Sequence, residues 1–295
     1  MGESSSHLAG TLRRGPPVTH AWAHRHRQET LVKTSLTAEI TLVVDEAAEL
    51  VFSVAAATGP EVSEERIECW SDGAPVQVEE SAGPVGARLH VVHAPVGPLT
   101  FSYATTLSGP VPTLGPNLGD QILYRRPSRF AESDRLAVIG QKRFGHLVGQ
   151  DLVNGIAAWV NDNLYYVPGI SMPSDGAVDA YLNQQGICRD FAHLVVALCR
   201  ACNVPARLVS VYAPGLYPMD FHAVAEVCLD GRWQLVDATR LAPRATMVRI
   251  ATGRDASDTA FLSQHSGQTT FGGVRVSAWT DEDLPYDNPD LPHWS

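Results

Sequence analysis

Residues 186–201 read Gly-Ile-Cys-Arg-Asp-Phe-Ala-His-Leu-Val-Val-Ala-Leu-Cys-Arg-Ala, and this stretch decides the fold. From Phe191 onward it is apolar on nearly all sides, which predicts a helix buried at the centre of a domain. The Asn-Val-Pro sequence at 203–205 ends that helix. Cys188 therefore stands at or before the first turn, where unpaired amides and the helix dipole stabilise an anion. This placement favours a reactive thiolate, and the same amides supply one donor for an oxyanion.

A β-hairpin is predicted downstream of this helix. Two β-prone runs, 222–229 and 232–237, flank Asp230-Gly231, a dipeptide typical of two-residue turns in which both residues have positive φ. Such a turn places His222 and Asp237 on one face as diagonal neighbours, about 7–8 Å apart at the backbone. A three-residue loop would instead shift the register by one and place them on opposite faces.

Thiol, imidazole and carboxylate in this order are the groups that nucleophilic thiol catalysis uses. Each residue also has a structural interpretation when taken alone. A cysteine before a helix is commonly a small buried hydrophobic residue, a histidine on a strand commonly belongs to the core, and Asp237 can cap the following turn. The hypothesis of catalysis therefore depends on Cys188, His222 and Asp237 occurring together with the hairpin geometry.

The combination resembles the bacterial transglutaminase-like thiol enzymes of the papain-like superfamily. The matching segments are 186–194, 204–207, 220–223, Trp233, 237–240 and 253–258. The region of resemblance is taken as residues 148 to about 265. The resemblance implies a Cys-bearing central helix packed on an antiparallel sheet. It also implies that Cys188 is the nucleophile, that His222 is the general acid and base, and that Asp237 orients the imidazole.

The sequence departs from the pattern of these enzymes at two positions. Val224 stands where members commonly carry Trp, and Ala238 where they commonly carry Pro. Neither change removes a catalytic group, although Val224 is expected to reshape the substrate groove.

The remaining substrate-binding residues are predicted from the same resemblance. The second oxyanion donor of related enzymes is a Gln or Trp side chain upstream of the cysteine, and Asn183, Gln184 and Gln185 all compete for this role. Gln185 is predicted as a substrate-binding residue. Tyr165 and Tyr166 lie in a segment, 165–173, where related enzymes line the substrate cleft, and both are predicted as cleft walls. Core packing of one of the two tyrosines is an equally good interpretation, because consecutive strand residues point opposite ways.

Composition limits the classes of partner. A net charge of −10 argues against nucleic acid and anionic membranes. No segment reaches the ~18 apolar residues of a membrane span, and the first residues have no apolar signal-peptide core. Five cysteines, an odd number without a disulfide framework, predict reduced thiols and a cytoplasmic location. No cofactor is expected.

The Cys-x-x-Cys motif at 199–202 is the competing chemical motif. It is compatible with half of a zinc site or with a redox pair, and His193 offers a third ligand. Because it falls in the last turn of an apolar helix without a second ligand pair nearby, we interpret it as packing and predict no metal site.

The sequence predicts two domains in an α+β protein. Residues 1–33 are a polar tail, 34–109 an antiparallel β-sandwich, 110–147 a linker with a short helix, 148–270 the transglutaminase-like domain and 271–295 a C-terminal tail. Predicted strands of the sandwich include 40–44, 50–54, 66–70, 76–78, 88–92 and 99–103. An amphipathic helix is predicted at 150–163.

The function hypothesis is thiol-dependent acyl transfer from an amide or peptide bond of a protein or peptide substrate. Hydrolysis is favoured over amine transfer because water needs no dedicated second site. Two alternatives remain: transglutaminase-type crosslinking, and a non-catalytic peptide-binding module on the same fold. The sequence leaves the oligomeric state open.

Overall fold

Alternating burial shapes the first half of the chain. The computed structural model describes Met1, residues 32–108 and residues 115–294. In the strand Lys33–Glu46 every second residue from Leu36 to Val44 is buried, so one face of the strand turns toward a core. The strands of this half are β1 (Lys33–Glu46), β2 (Ala48–Phe52), β3 (Glu61–Ser71), β4 (Ala74–Pro75), β5 (Glu79–Ala82), β6 (Arg88–Ala94) and β7 (Gly97–Ser108).

Helices and a second group of strands form the rest of the chain. The helices are α1 (Leu118–Leu123), α2 (Ala137–Phe144), α3 (Gly149–Asn163), α4 (Ala177–Asn183), α5 (Cys188–Ala201) and α6 (Ala256–Thr259). The strands are β8 (Tyr165–Tyr166), β9 (Gln185–Gly186), β10 (Ala206–Tyr212), β11 (His222–Leu229), β12 (Arg232–Val236), β13 (Val248–Gly253), β14 (Leu262–Gln264), β15 (Gln268–Thr280) and β16 (His293–Trp294).

Two antiparallel sheets form the predicted sandwich. Their strand orders are β15-β1-β7-β3-β4 and β14-β2-β6-β5. Phe52 of the second sheet stacks on Phe101 of the first, with ring centroids 4.1 Å apart, in one continuous apolar core. The α+β class and the sandwich are therefore confirmed.

The sandwich recruits two strands from far along the chain. β15 pairs with β1 from Thr34↔Thr280 to Glu46↔Gln268, and β14 pairs with β2. The residues of β15 span the end of the predicted catalytic domain and the start of the predicted C-terminal tail. The division into domains remains a prediction, and residues 2–31 of the predicted tail and 110–114 of the predicted linker lie outside the described part.

The predicted strand at 76–78 is wrong. These residues lie between β4 and β5 without belonging to either strand. Val76 and Val78 pack against the sandwich core. Their apolar pattern therefore reflects partial burial of side chains, and the single backbone hydrogen bond from Val76 to the Cys69 carbonyl does not extend into a strand. The predicted helix at 150–163 is confirmed by α3.

A third antiparallel sheet, β13-β10-β11-β12-β16, carries the central helix α5. The helix is buried from Asp190 to Arg200 and shares an apolar core with α3 and with residues of β10 to β12. This arrangement confirms the predicted Cys-bearing helix on an antiparallel sheet. None of the helices in the described segments has the length and apolar character that crossing a bilayer requires.

Candidate active site

The hairpin between β11 and β12 has the predicted two-residue turn. Leu229 pairs with Arg232, and Asp230 and Gly231 have φ of 48° and 72°. Positive φ at both central residues is typical of the type I′ turn. The even register continues to Ala225↔Val236. Residues 222 and 237 therefore share a face, as predicted.

His222 and Asp237 form a buried hydrogen-bonded pair. His222 Nε2 lies 2.9 Å from Asp237 Oδ2, and the two residues are 1% and 8% exposed. Thr239 holds the other carboxylate oxygen: its backbone N–H donates to Oδ1 at 2.9 Å and its hydroxyl donates at 2.7 Å. Asp237 is thus fixed from two sides, and it fixes the imidazole in turn.

The pair is electrostatically biased toward imidazolium and carboxylate. Burial by itself would lower the pKa of His222, but the charge and hydrogen bond of Asp237, together with the neighbouring Cys188, raise it from 6.5 to about 10. Burial also acts to raise the pKa of Asp237, yet His222 and the hydrogen bonds from Thr239 hold it below its usual 3.8. A protonated ring beside a thiol stabilises the thiolate.

The second ring nitrogen of His222 faces no protein acceptor. Nδ1 is buried and forms no hydrogen bond with any residue in the described ranges. Cys188 is nevertheless close enough to contribute to the raised pKa of the imidazole. The thiol therefore lies beside the ring and acts on its pKa, although Nδ1 makes no hydrogen bond of ordinary geometry in the described part of the chain. Catalytic hydrogen bonds are often long or poorly aligned before substrate binds.

Cys188 is the first residue of α5, and the helix start is built around it. Asp190 Oδ2 accepts a hydrogen bond from the backbone N–H of Ile187 at 2.8 Å, which caps the helix. A side chain at position 186 would meet Asp190 Cβ at 2.6 Å, so Gly186 is required for this reach-back. The capped first turn directs unpaired amides toward the region of the thiol.

The two predicted tyrosines of β8 point in different directions. Tyr166 lines the same cleft as Cys188 and packs on Phe191 with ring centroids 6.0 Å apart. Burial and the neighbouring Cys188 raise the pKa of Tyr166 to about 12, so its hydroxyl keeps its proton at neutral pH. Tyr165 is 75% exposed and is not among the residues that line the cleft.

Gln185, a predicted substrate-binding residue and one of three candidates for the oxyanion donor, lies elsewhere. It lines a separate cavity of about 290 Å³ together with Asp175, Asp179 and Asp190, and it is not among the residues that line the cleft beside Cys188. The structure thus brings Cys188, His222, Asp237 and Tyr166 together and leaves Tyr165 and Gln185 apart from them. The catalytic and substrate-binding roles of these residues remain predictions.

A cleft of about 760 Å³ contains Cys188 and His222. One wall is the segment 166–173, another is 216–223, and a third is 256–263. Arg189 fixes the first wall, because its Nη2 donates to Ser171 Oγ and to the Met172 carbonyl, each at 2.6 Å. Clefts of this size that are lined mainly by apolar side chains are typical of ligand sites.

The Cys199–Cys202 motif and His193 occupy structural positions. Cys199 is buried in the core around α5. His193 is buried, stacks on Phe130 and accepts a hydrogen bond from the backbone N–H of Ala256 at 3.1 Å. Within the described residues, no three His, Cys, Asp or Glu side chains are grouped so that they could hold a metal ion.

Two functional features were missed in the sequence. One is the pair of hydrogen bonds from Thr239, in the matching segment 237–240, to Asp237. The available signal was the tendency of Asp and Thr side chains to bond backbone groups two residues away. The third cleft wall, with Phe261, had no such signal, because it is brought to the site by pairing of β14 with a strand of the sandwich.

Comparison with known proteins places this geometry among related folds. The family model described as the transglutaminase-like superfamily matches residues 145–238. A crystal structure of a "putative cysteine protease" from Cytophaga hutchinsonii is 31% identical with a TM-score of 0.78, over 90% of this chain and 94% of that one. An uncharacterized protein of Mycobacterium leprae is 27% identical over 139 residues, 43% of this chain. That match spans 49%, or about half, of the curated relative.

Proposed function

The chain belongs to the transglutaminase-like superfamily, and from that premise we propose that it is a thiol enzyme that hydrolyses an amide or peptide bond. The observation that carries the proposal is the His222–Asp237 pair. One ring nitrogen is held by the carboxylate at 2.9 Å, while the other is buried near Cys188 and makes no hydrogen bond of ordinary geometry with the residues that the structure describes. A histidine held this way is oriented for proton exchange with the thiol.

Acylation uses these three side chains in sequence. His222 takes the proton of Cys188, and the thiolate attacks the carbonyl carbon of the substrate. The tetrahedral intermediate then collapses. The C–N bond breaks, the amine leaves with the proton from the imidazolium, and the acyl group stays on sulfur as a thioester. Asp237 stabilises the imidazolium that forms and keeps the ring in place.

Deacylation regenerates the thiol. His222 takes a proton from water, the resulting hydroxide attacks the thioester carbonyl, and the C–S bond breaks. The carboxylic acid leaves and Cys188 recovers its proton from the imidazolium. With an amine in place of water, the same steps give transamidation. We favour water because it needs no second binding site. The proposed substrate is a protein or a peptide, and the proposed location of the enzyme is the cytoplasm.

Two donors are proposed for the oxyanion of both intermediates. One is the backbone N–H of Cys188 at the start of α5, where helix amides have no helical acceptor. The other is the hydroxyl of Tyr166, which lines the cleft next to Cys188 and, with a pKa of about 12, is protonated at neutral pH as an ordinary tyrosine is. Tyr166 is therefore proposed as the second oxyanion donor, a role for which residues 183–185 were the candidates in the sequence.

The first test needs no substrate. Iodoacetamide labelling, read cysteine by cysteine by mass spectrometry at about pH 6, should modify Cys188 at least about tenfold faster than Cys202, which is also partly exposed. His222→Ala should remove that advantage, because the imidazolium no longer stabilises the thiolate. Equal rates at Cys188 in the wild-type protein and in the variant would contradict an activated pair.

The second test measures turnover of a fluorogenic peptide mixture. Cys188→Ala should abolish hydrolysis without unfolding, whereas Cys202→Ala, which changes a thiol at the other end of the same helix, should keep it. Adding a primary amine and finding it in the product by mass spectrometry would identify amine transfer. Turnover retained by Cys188→Ala would refute the mechanism. Peptide binding without turnover by the wild-type protein would contradict hydrolysis and favour the non-catalytic peptide-binding module.

A further inference from the structure

The cleft continues beyond Cys188 and His222 into the space between the catalytic sheet and the sandwich. On the side of the sheet it is lined by Leu208, Ser210 and Ile250, and on the side of the sandwich by Ser53 and Phe261. The two halves of the molecule thus both contribute to its surface. A substrate held at Cys188 has this recess within the same continuous space of about 760 Å³.

Strand pairing turns Ser53 toward the recess. β14 pairs with β2 through Leu262↔Phe52, and the backbone N–H of Ser53 donates to the Phe261 carbonyl at 3.0 Å. Ser53 and Phe261 are therefore opposite each other, and directly opposite residues of an antiparallel pair share one face. Phe52 points the other way, into the sandwich core, where it stacks on Phe101.

Aromatic rings form one wall of the recess. Phe261 and Phe221 stack with centroids 5.3 Å apart and an interplanar angle of 28°. Phe221 also contacts the ring of Tyr212, with centroids 5.5 Å apart. Such a wall offers ring faces and edges to an incoming aromatic side chain, which gains from offset or edge-to-face packing as well as from burial.

The recess is electrically neutral. Among the cleft-lining residues that the structure describes, the charged side chains besides the catalytic pair are Arg189 and Asp220. Arg189 is committed to Ser171 and Met172, and Asp220 accepts from the N–H of Phe221 at 2.7 Å next to the catalytic histidine. Asp220 keeps its charge but adjoins His222, whereas the residues that line the recess itself are all uncharged. The recess therefore favours a neutral side chain.

One polar group in this neutral recess is unsatisfied. Ser53 is 4% exposed and its Oγ has no hydrogen-bond partner among the described residues. The hydroxyl of Ser210, on the opposite side, has only a long contact of 3.5 Å to the Ala251 carbonyl. A buried hydroxyl without a partner is unfavourable, so a ligand that supplies one gains affinity.

We propose that this recess is a side-chain pocket for a tyrosine of the peptide substrate. The ring packs against Phe221 and Phe261, and the phenol hydroxyl exchanges a hydrogen bond with Ser53. The proposal rests on the proposed peptide hydrolysis and adds its specificity. It also gives the sandwich a role, since Ser53 and, through β14, Phe261 are positioned by its second sheet.

The test uses peptide sets in which each position around the scissile bond is varied in turn among Tyr, Phe, Gln, Leu, Glu and Lys. One position should favour Tyr over Phe by about tenfold in kcat/KM, and Tyr over Glu or Lys by about a hundredfold. Ser53→Ala should bring the Tyr rate down to the Phe rate and leave the Phe rate unchanged. Phe261→Leu should lower both rates. Ser277→Ala, on an exposed part of β15, is the matched control and should change neither.

The same peptides separate this proposal from the proposed function. The pocket assignment is wrong if Cys188-dependent hydrolysis occurs but favours Gln or a charged residue, or if Ser53→Ala leaves the ratio of kcat/KM for Tyr and Phe peptides unchanged. In both cases the proposed hydrolytic function is retained. If no hydrolysis is found, the pocket is tested by measuring the dissociation constants of the Cys188→Ala protein for fluorescent Tyr and Phe peptides. Tighter binding of Tyr that is lost on adding Ser53→Ala supports the pocket, and equal binding overturns it.

Discussion

Strand β11 carries two buried charged residues on one face, and their surroundings differ. His222 and Glu226 are four residues apart, so their side chains point the same way. Glu226 contacts the guanidinium groups of both Arg207 and Arg249, and Arg207 lies over the ring of Trp233 at 3.8 Å. His222 has Asp237 on one nitrogen, a nearby thiol, and no hydrogen bond on the other nitrogen within the described part of the chain.

The contrast separates a structural ion cluster from a chemical one. Burial and pairing are common to both and do not distinguish them. In the Glu226 cluster each carboxylate oxygen is paired with a guanidinium group inside the protein, so the carboxylate is satisfied without a ligand. The His222 pair keeps one proton-exchanging atom uncommitted at a cleft of about 760 Å³. Arg207 Nη2 in the Glu226 cluster is also buried without a hydrogen bond among the described residues, but Arg207 does not line the cleft. An uncommitted nitrogen that can exchange a proton at a cleft, and not the ion pair itself, is what indicates a function.

The largest effect is expected from His222→Gln. The amide can still hydrogen-bond Asp237, but it cannot exchange a proton with Cys188, so kcat/KM should fall by about 10²- to 10⁴-fold. The measurement is turnover of the preferred peptide at neutral pH, with circular dichroism to check folding. A folded variant that loses less than about tenfold would place His222 with the structural cluster and break the comparison.

Glu226→Gln should have the opposite profile. It leaves Arg207 and Arg249 buried without a compensating charge, and breaking a buried pair in this way costs about 3–5 kcal/mol of unfolding free energy. Urea unfolding measures this loss, and kcat/KM per folded molecule should stay within about twofold. Glu39→Gln is the control, because its pair with Arg275 is exposed and should contribute at most about 1 kcal/mol. A loss of turnover beyond the unfolded fraction would give Glu226 a role in the chemistry.

The third prediction concerns how the stability contribution of the His222–Asp237 pair depends on pH. The pKa of His222 is raised from 6.5 to about 10, so its stabilising contribution is complete below pH 6.5 and is lost as pH rises through about 10. The pKa of Asp237 is lowered from 3.8, so its contribution is complete above pH 3.8 and is lost only as pH falls through the lower folded value. Wild-type protein should exceed His222→Gln in unfolding free energy most between pH 3.8 and 6.5, as measured by urea unfolding. The difference should vanish above about pH 10, and a difference that grows with pH would contradict the assigned charges.

The sequence was most informative where the structure is local. The turn residues Asp230 and Gly231 determine the register of the hairpin, and that register alone places His222 beside Asp237. The start of α5 was equally readable, since the apolar run and the capping Asp190 lie within a few residues of Cys188. Both predictions rest on backbone geometry over short distances, where propensity and sterics dominate.

Long-range pairing was beyond the same reasoning. The residues around Phe261 contain no signal that β14 pairs with β2. The aromatic wall of the cleft and the position of Ser53 beside it could therefore not be predicted. The proximity of Tyr166 to Cys188 was likewise not predicted, because it depends on the parallel pairing of β8 with β9, which brings Tyr166 opposite Gly186. Such contacts depend on which distant segments meet, and composition and periodicity do not encode that.

The late position of β15 in the chain has a consequence for synthesis. Strand β1 lies between β7 and β15. A ribosome makes β7 soon after β1 but makes β15 only after all of β8 to β14, so for most of translation this 14-residue strand has one unpaired edge. An open edge of this length attracts other strands, so the nascent protein is most exposed to misassembly in that interval. Strand β14, which brings Phe261 to the cleft, is synthesised immediately before β15. The cleft beside Cys188 is therefore completed only shortly before β15 completes the sandwich.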